Sequence, residues 1–164
     1  MTPDPITRSI YALTAGYLLV WSLFSVGATL TQRLLATQLL LTPMMEPATP
    51  TVGAVVLMIA GVYQFAPFKH ACLTTCRSPL AFLMQRWRRG TAGAFLMGVD
   101  HGLHCLGCCW ALMLLLFAGG VMNLLVILGL TVWVVIEKVA PFGQQSARIG
   151  GALLILLAIW VLVR

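Results

Sequence analysis

Long apolar stretches with few charges are the feature that most restricts the fold of this chain. Of its 164 residues, 60% are hydrophobic and only 9% are charged, whereas a soluble domain carries about a quarter charged residues. Too few polar groups remain to cover a surface in water. The stretches are continuous rather than alternating, which argues against strands that cross a bilayer. We therefore expect an all-α, polytopic transmembrane helical bundle whose solvent is the lipid bilayer.

About five apolar segments have the length of membrane spans, and residues 1–164 are treated as a single transmembrane domain. The segments cover residues 10–31, 51–66, 93–117, 121–140 and 148–163. The stretch 67–92 is the one clearly polar loop. Within it, residues 79–89 are amphipathic, which predicts a short helix lying on the membrane surface. The link Ala118-Gly119-Gly120 is so short that the third and fourth spans should form a tight antiparallel hairpin.

Basic residues are distributed unevenly between the two sides of this arrangement. With five spans, eight Lys and Arg residues fall on the amino-terminal side and two fall on the opposite side. Short cytoplasmic loops are enriched in Lys and Arg. The amino terminus and the loop 67–92 are therefore predicted to be cytoplasmic. This orientation accounts for the net charge of +6, and we expect no nucleic-acid partner.

The third predicted span carries a cluster of residues that can bind a metal ion. The cluster contains His101, His104, Cys105, Cys108 and Cys109, and Met97 extends it by one turn. On a helix, His101, Cys105 and Cys108 lie within about 60° of one another, and the other two flank this stripe. Ionisable side chains inside a bilayer are costly and normally face a partner or a cavity. The cluster therefore predicts a metal site inside the bundle.

The same set spans more than two helical turns, so a single ion cannot contact all of it. One ion could take His101 with Cys105, or His104 with Cys108, and a second helix would complete the ligand set. Thiolate, thioether and imidazole ligands together suit Cu(I) first and Zn(II) second. Met97, Met113 and Met122, near the same hairpin, favour copper. A heme on one of the histidines is a further alternative, although clustered thiols are not needed for it.

A second thiol pair lies in the polar loop. Cys72 and Cys76 are four residues apart and would be adjacent if that stretch is helical. The neighbouring Lys69 and Arg77 favour the thiolate form. In a reducing cytoplasm such a pair suits a transient metal or redox site better than a structural disulfide. We expect this pair to receive or deliver the ion, and we expect Glu137-Lys138 to form an interfacial ion pair with no catalytic role.

Three classes of function remain open from these residues. The first is binding of a soft metal for trafficking, metalloenzyme assembly or efflux, with a metallochaperone or a metalloenzyme as partner. The second is a thiol-redox or heme protein, and the third is a structural subunit whose cysteines only pack. The sequence contains no phosphate loop, nucleophile elbow or catalytic triad, so we expect no enzyme.

Several stretches resemble a bacterial family of membrane proteins of unknown function that are predicted to bind metal. The paired motifs are Cys72-Leu-Thr-Thr-Cys-Arg-Ser-Pro79 and His101-Gly-Leu-His-Cys-Leu-Gly-Cys-Cys-Trp110, with further similarity at residues 16–21, 61–69 and 119–124. The resemblance covers nearly the whole chain. It implies a multi-pass protein of the bacterial inner membrane and metal residues at Cys72, Cys76, His101, Cys105, Cys108 and Cys109.

The chain differs from that family at its amino-terminal end. Members tend to carry additional amino-terminal spans with a Met-rich segment that ends in a Met-Met-Leu-Pro-like sequence. We therefore expect either a short form, a start placed too late, or a site completed by another chain. The partner would then be a further membrane subunit that supplies the Met-rich spans, or a second copy of this chain.

Overall fold

The computed structural model describes residues 4–38, 47–120 and 123–164. Within these residues the chain forms seven α-helices and no β-strand, which confirms the predicted all-α class. The helices are α1 (Pro5–Thr37), α2 (Pro50–Tyr63), α3 (Pro67–Arg77), α4 (Pro79–Gln85), α5 (Gly90–Gly119), α6 (Leu124–Val139) and α7 (Gly143–Val163). Met122, which we expected near the hairpin of the third and fourth spans, lies outside the described residues.

Three helices, α1, α5 and α7, are each long and apolar enough to cross a membrane. Helices α2 and α3 pass the same test only as a pair bent by 67°, which would make a fourth span. Helix α6 has 16 residues and a length of about 24 Å, less than the hydrocarbon core of about 30 Å. The count of five spans and the orientation therefore stay predictions.

Prolines determine where the first four helices begin. Each of α1 to α4 has Pro in its first turn, where the missing N–H would have no intrahelical partner in any residue. Pro67 thus separates α3 from α2, and Pro79 separates α4 from α3. As a result, much of the stretch that we expected to be a loop is helical. Helix α4 falls within the predicted surface helix and leaves Met84 83% exposed.

Helix α5 lies at the centre of the bundle and packs against α1, α2, α3 and α6, while α2 also packs along α7. Small residues allow the closest of these approaches. A Cβ on Gly98 would meet the backbone of Leu13, and one on Gly16 would meet the backbone of Phe95. Helices α1 and α5 therefore approach each other at glycines, as small-residue interfaces in membranes permit. This packing places Tyr17 of α1 beside the Cys105 turn of α5.

Candidate metal centre

The two sets of cysteines predicted from the sequence come together in one place. The Sγ atom of Cys76 on α3 lies 3.8 Å from the Sγ atom of Cys108 on α5. Cys72 and Cys109 pack in the same buried group, beside Trp21 and Met113. We call the five free cysteines, Cys72, Cys76, Cys105, Cys108 and Cys109, the thiol cluster. The sequence had placed the first two in a separate loop, whereas the bend between α2 and α3 brings α3 onto α5.

The distance between Cys76 and Cys108 fits two ligands of one ion. Two metal–sulfur bonds of about 2.3 Å that enclose an angle of about 110° separate the sulfurs by about 3.8 Å. Among the described residues, no three His, Cys, Asp or Glu side chains are arranged to hold an ion. The arrangement therefore offers two sulfurs rather than a four-ligand cage. Structural Zn(II) takes four ligands, so the pair alone does not have the ligand number of a structural zinc site.

Two thiols of the cluster are hydrogen bonded to their own helix. The Cys108 and Cys109 thiols both donate to the carbonyl oxygen of Cys105, at 3.0 Å each. Such bonds satisfy polar groups that would otherwise be buried without a partner, because Cys108 is only 1% exposed. A metal that binds Cys108 would replace its thiol proton and release one of these two bonds.

The Cys105 sulfur is the meeting point of three helices. The Lys138 ammonium on α6 donates to it at 3.0 Å, and the Tyr17 hydroxyl on α1 lies 3.4 Å away. Neither contact is predicted from the sequence. A Lys near the end of an apolar span is typical of the membrane interface, although a charge inside a bilayer normally has a partner within the protein. That rule is the signal that could have pointed to Lys138.

Glu137 has a different partner from the one expected. Its carboxylate accepts from Lys69 Nζ at 2.7 Å, Gln64 Nε2 at 3.1 Å and Trp133 Nε1 at 2.9 Å. Lys69 and Glu137 are 0% and 2% exposed, so the pair is buried rather than interfacial. The expected pair of Glu137 with Lys138 is wrong, because successive residues on a helix point about 100° apart.

Helix α3 is held against α6 near both of its ends. Lys69 in its first turn binds Glu137, and Arg77 in its last turn donates to the carbonyl oxygen of Ala140. Between these two contacts lie Cys72 and Cys76. A glycine of α5 makes room for the first of them, since a Cβ on Gly107 would lie 2.9 Å from the Cys72 sulfur. These contacts position the α3 thiols against α5.

The histidines are placed differently from each other. His101 packs between aromatic rings, with its centroid 5.1 Å from that of Phe82 and 6.0 Å from that of Tyr17. Its Nδ1 is buried and has no hydrogen-bond partner in the described part of the chain. His104 Nδ1 instead lies 2.8 Å from the carbonyl oxygen of Asp100. The bond of His104 Nδ1 to a backbone carbonyl leaves its Nε2 as the nitrogen that could bind an ion, whereas in His101 the unpartnered Nδ1 is enclosed by aromatic rings.

Met97, one turn before His101, is buried but already engaged. Its sulfur accepts a hydrogen bond from the backbone N–H of Arg88 at 3.3 Å. One turn of helix raises the chain by about 5.4 Å, so Met97 lies two turns from Cys105. Met97 is thus the outlying member of the predicted ligand set.

Comparison with known proteins identifies the family. A family model described as PpoB2, copper chaperone, matches residues 3–161. The chain belongs to this family. Membership supports copper as the metal and gives no support to zinc or heme, and it is consistent with trafficking rather than catalysis. No curated protein and no solved structure matches the chain.

Proposed function

We propose that this member of the PpoB2 copper chaperone family is an integral membrane protein that holds Cu(I) between Cys76 and Cys108. The observation that carries the proposal is the 3.8 Å distance between these two sulfurs, which come from different helices. Both are free thiols. Family membership supports copper as the metal, and the thiolate ligands suit its monovalent, soft form, Cu(I).

The two ligands differ in a way that suits transfer of the ion. Cys108 is buried in the centre of the bundle, whereas Cys76 is half-buried on the short helix α3. A thiolate or thioether of an incoming metallochaperone or metalloenzyme would add to the ion as Cys76 leaves it. Copper moves in this exchange without a change of oxidation state. Cys76 is therefore the exchanging ligand and Cys108 the retaining one.

The remaining members of the thiol cluster extend this site. Cys72, Cys105 and Cys109 surround the ligand pair and would shield the ion from water. On α5, His104, His101 and Met97 precede Cys108 by four, seven and eleven residues, so they lie about 6, 10.5 and 16.5 Å from it along the helix. In this proposal the bilayer surrounds the site, in keeping with the apolar length of α5.

Anaerobic copper analysis of the purified full chain tests the proposal. We expect one Cu(I) per chain, with sulfur ligands in the X-ray absorption spectrum. A Cys76→Ala/Cys108→Ala double variant should bind none. Met84→Leu is the matched control, because it removes an exposed sulfur from α4 and should bind as the unaltered chain does. Equal copper in the double variant would sink the proposal.

The same distance favours one second candidate, a thiol–disulfide carrier. Closing Cys76 and Cys108 to a disulfide would shorten their separation to about 2.05 Å and pass two electrons and two protons to an oxidised dithiol or quinone. Mass analysis after alkylation, with and without prior reduction, separates the two functions. A disulfide in protein isolated from cells, together with no bound copper, would favour the redox function.

A further inference from the structure

Lys138 places a positive charge beside the thiol cluster. Two thiolates can bind copper without such a charge. Its ammonium contacts the Cys105 sulfur at 3.0 Å. Among the described residues, no carboxylate lies within salt-bridge distance of Lys138. The carboxylate next to it in sequence, Glu137, is used by Lys69, Gln64 and Trp133. The charge of Lys138 is therefore directed at sulfur alone.

The position of Cys105 makes this charge relevant to the ligand pair. Cys105 precedes Cys108 by three residues, which is a rise of about 4.5 Å along the helix. The Tyr17 hydroxyl, 3.4 Å from the same sulfur, holds Cys105 from the side of α1. An ion bound beside Cys108 would thus lie close to a fixed cation.

Resting on the proposed copper function, we infer that Lys138 determines the charge of the ion that the cluster accepts. It selects monovalent Cu(I) against divalent ions such as Zn(II). Coulomb repulsion from the ammonium acts on the full charge of the bound ion, so a divalent ion is repelled twice as strongly as a monovalent one. Burial makes this difference larger than it would be in water. Two thiolates, one Cu(I) and one ammonium sum to zero charge, which is the state that a buried site tolerates best.

A purely structural role for Lys138 has a different consequence. If the contact only held α6 against α5, its loss would weaken the binding of every ion by the same factor. Selection by charge instead changes the ratio of affinities. The ratio is therefore the quantity to measure, since a general loosening of the fold does not move it.

The experiment compares Cu(I), Ag(I) and Zn(II) dissociation constants of the full chain in detergent, obtained anaerobically by competition with chelators. In Lys138→Met we expect the preference for each monovalent ion over Zn(II) to fall by at least about tenfold. Lys138→Arg keeps the charge and should keep the preference. Arg164→Met removes a cation from the carboxyl-terminal end, where it lies over the Trp160 ring, and should leave the ratio unchanged.

Each other outcome counts against the inference. An unchanged ratio in Lys138→Met, with Cu(I) still bound, overturns the role of Lys138 and leaves the proposed function standing. Equal weakening of all three ions, or complete loss of binding in both Lys138 variants, assigns the residue to assembly of the site and also overturns selection. Absence of Cu(I) binding in the unaltered chain overturns the proposed function and the inference together.

Discussion

The sulfur of Cys76 lies 3.8 Å from the sulfur of Cys108, although 32 residues of chain separate them. One belongs to a short helix that begins at Pro67 and the other to the central helix of the bundle. Two-sulfur binding depends on both partners at once. We therefore expect variants of the two cysteines to affect copper binding together rather than independently.

Cys76→Ala and Cys108→Ala should behave as a coupled pair in copper binding. Each single variant should lower Cu(I) affinity at least about a hundredfold, because the remaining thiolate cannot hold the ion alone; this exceeds the usual effect of losing an outer-sphere group. The double variant should lose little more, since residues that share one ligand are not additive. A double-variant cycle with a Cu(I) chelator measures this coupling, and additive losses would show that the two sulfurs bind different ions.

Reactivity of the thiols should follow their exposure. Cys76 is half-buried and the other four cysteines are buried, so a small maleimide should label Cys76 first in the folded protein. Prior loading with Cu(I) should slow this labelling, because the coordinated thiolate is no longer a free nucleophile. Peptide mass analysis over time identifies the labelled position. Cys72 serves as the internal control, one turn away on the same helix, and labelling of Cys72 before Cys76 would contradict the packing of α3.

The buried pair of Lys69 and Glu137 should be a major support of the fold. Lys69→Met leaves a buried carboxylate without its cation, which costs about 3–5 kcal/mol when one partner of a buried pair is removed. Replacing both residues by Met should recover most of that loss, because no uncompensated charge then remains. Thermal unfolding in detergent measures both changes. A double variant as unstable as Lys69→Met would show that Glu137 tolerates the loss of its partner.

Gly107 should resist a larger side chain because of the cysteine beside it. The added Cβ of Gly107→Ala would lie 2.9 Å from the Cys72 sulfur, and overpacking of this kind costs about 1–3 kcal/mol. Since α3 would have to shift, Cu(I) affinity should fall as well. Gly129→Ala is the matched control, as nothing lies within 4 Å of its added Cβ. Equal stability and affinity in the two variants would mean that α3 is not packed as described.

The number of membrane crossings has a simple test at the carboxyl terminus. Five spans place Arg164 on the side opposite to the amino terminus, whereas a chain in which α6 does not cross returns it to the same side. Compartment-sensitive reporters fused after residues 141 and 164 distinguish the two. We expect the reporter after residue 141 to be cytoplasmic and the one after residue 164 to lie outside, and the reverse result would remove α6 from the spans.

The helices could be predicted well from the sequence, and the contacts between them could not. Apolar stretches and prolines locate helices because both act within a few residues. The stripe of His101, Cys105 and Cys108 could likewise be placed on one side of α5, since it follows from helical periodicity alone. By contrast, residues 67–77 read as a loop because Lys69, His70 and Arg77 are polar. Lys69 and Arg77 have their partners at the end of α6, and no local pattern predicts contacts between residues so distant in sequence.

Lys138 shows the same limit at the candidate site. A Lys beside a Glu at the end of an apolar stretch is typical of an interfacial pair, and so it was predicted. In the structure both side chains turn inward, to different partners, because α3 and α5 supply a cation for one and a thiol for the other. Local sequence could show only that the two charges needed partners.

The pairing of Lys69 with Glu137 also has a consequence for the making of this protein. The two residues are 68 positions apart, and the chain emerges from the ribosome from its amino terminus at about 5–20 residues per second. For several seconds Lys69 therefore has no carboxylate to meet, and an unpaired ammonium is costly within a bilayer. Helix α3 can take its buried place only after α6 has been synthesised. The proposed copper site would thus be completed late in biogenesis, after most of the chain has been synthesised.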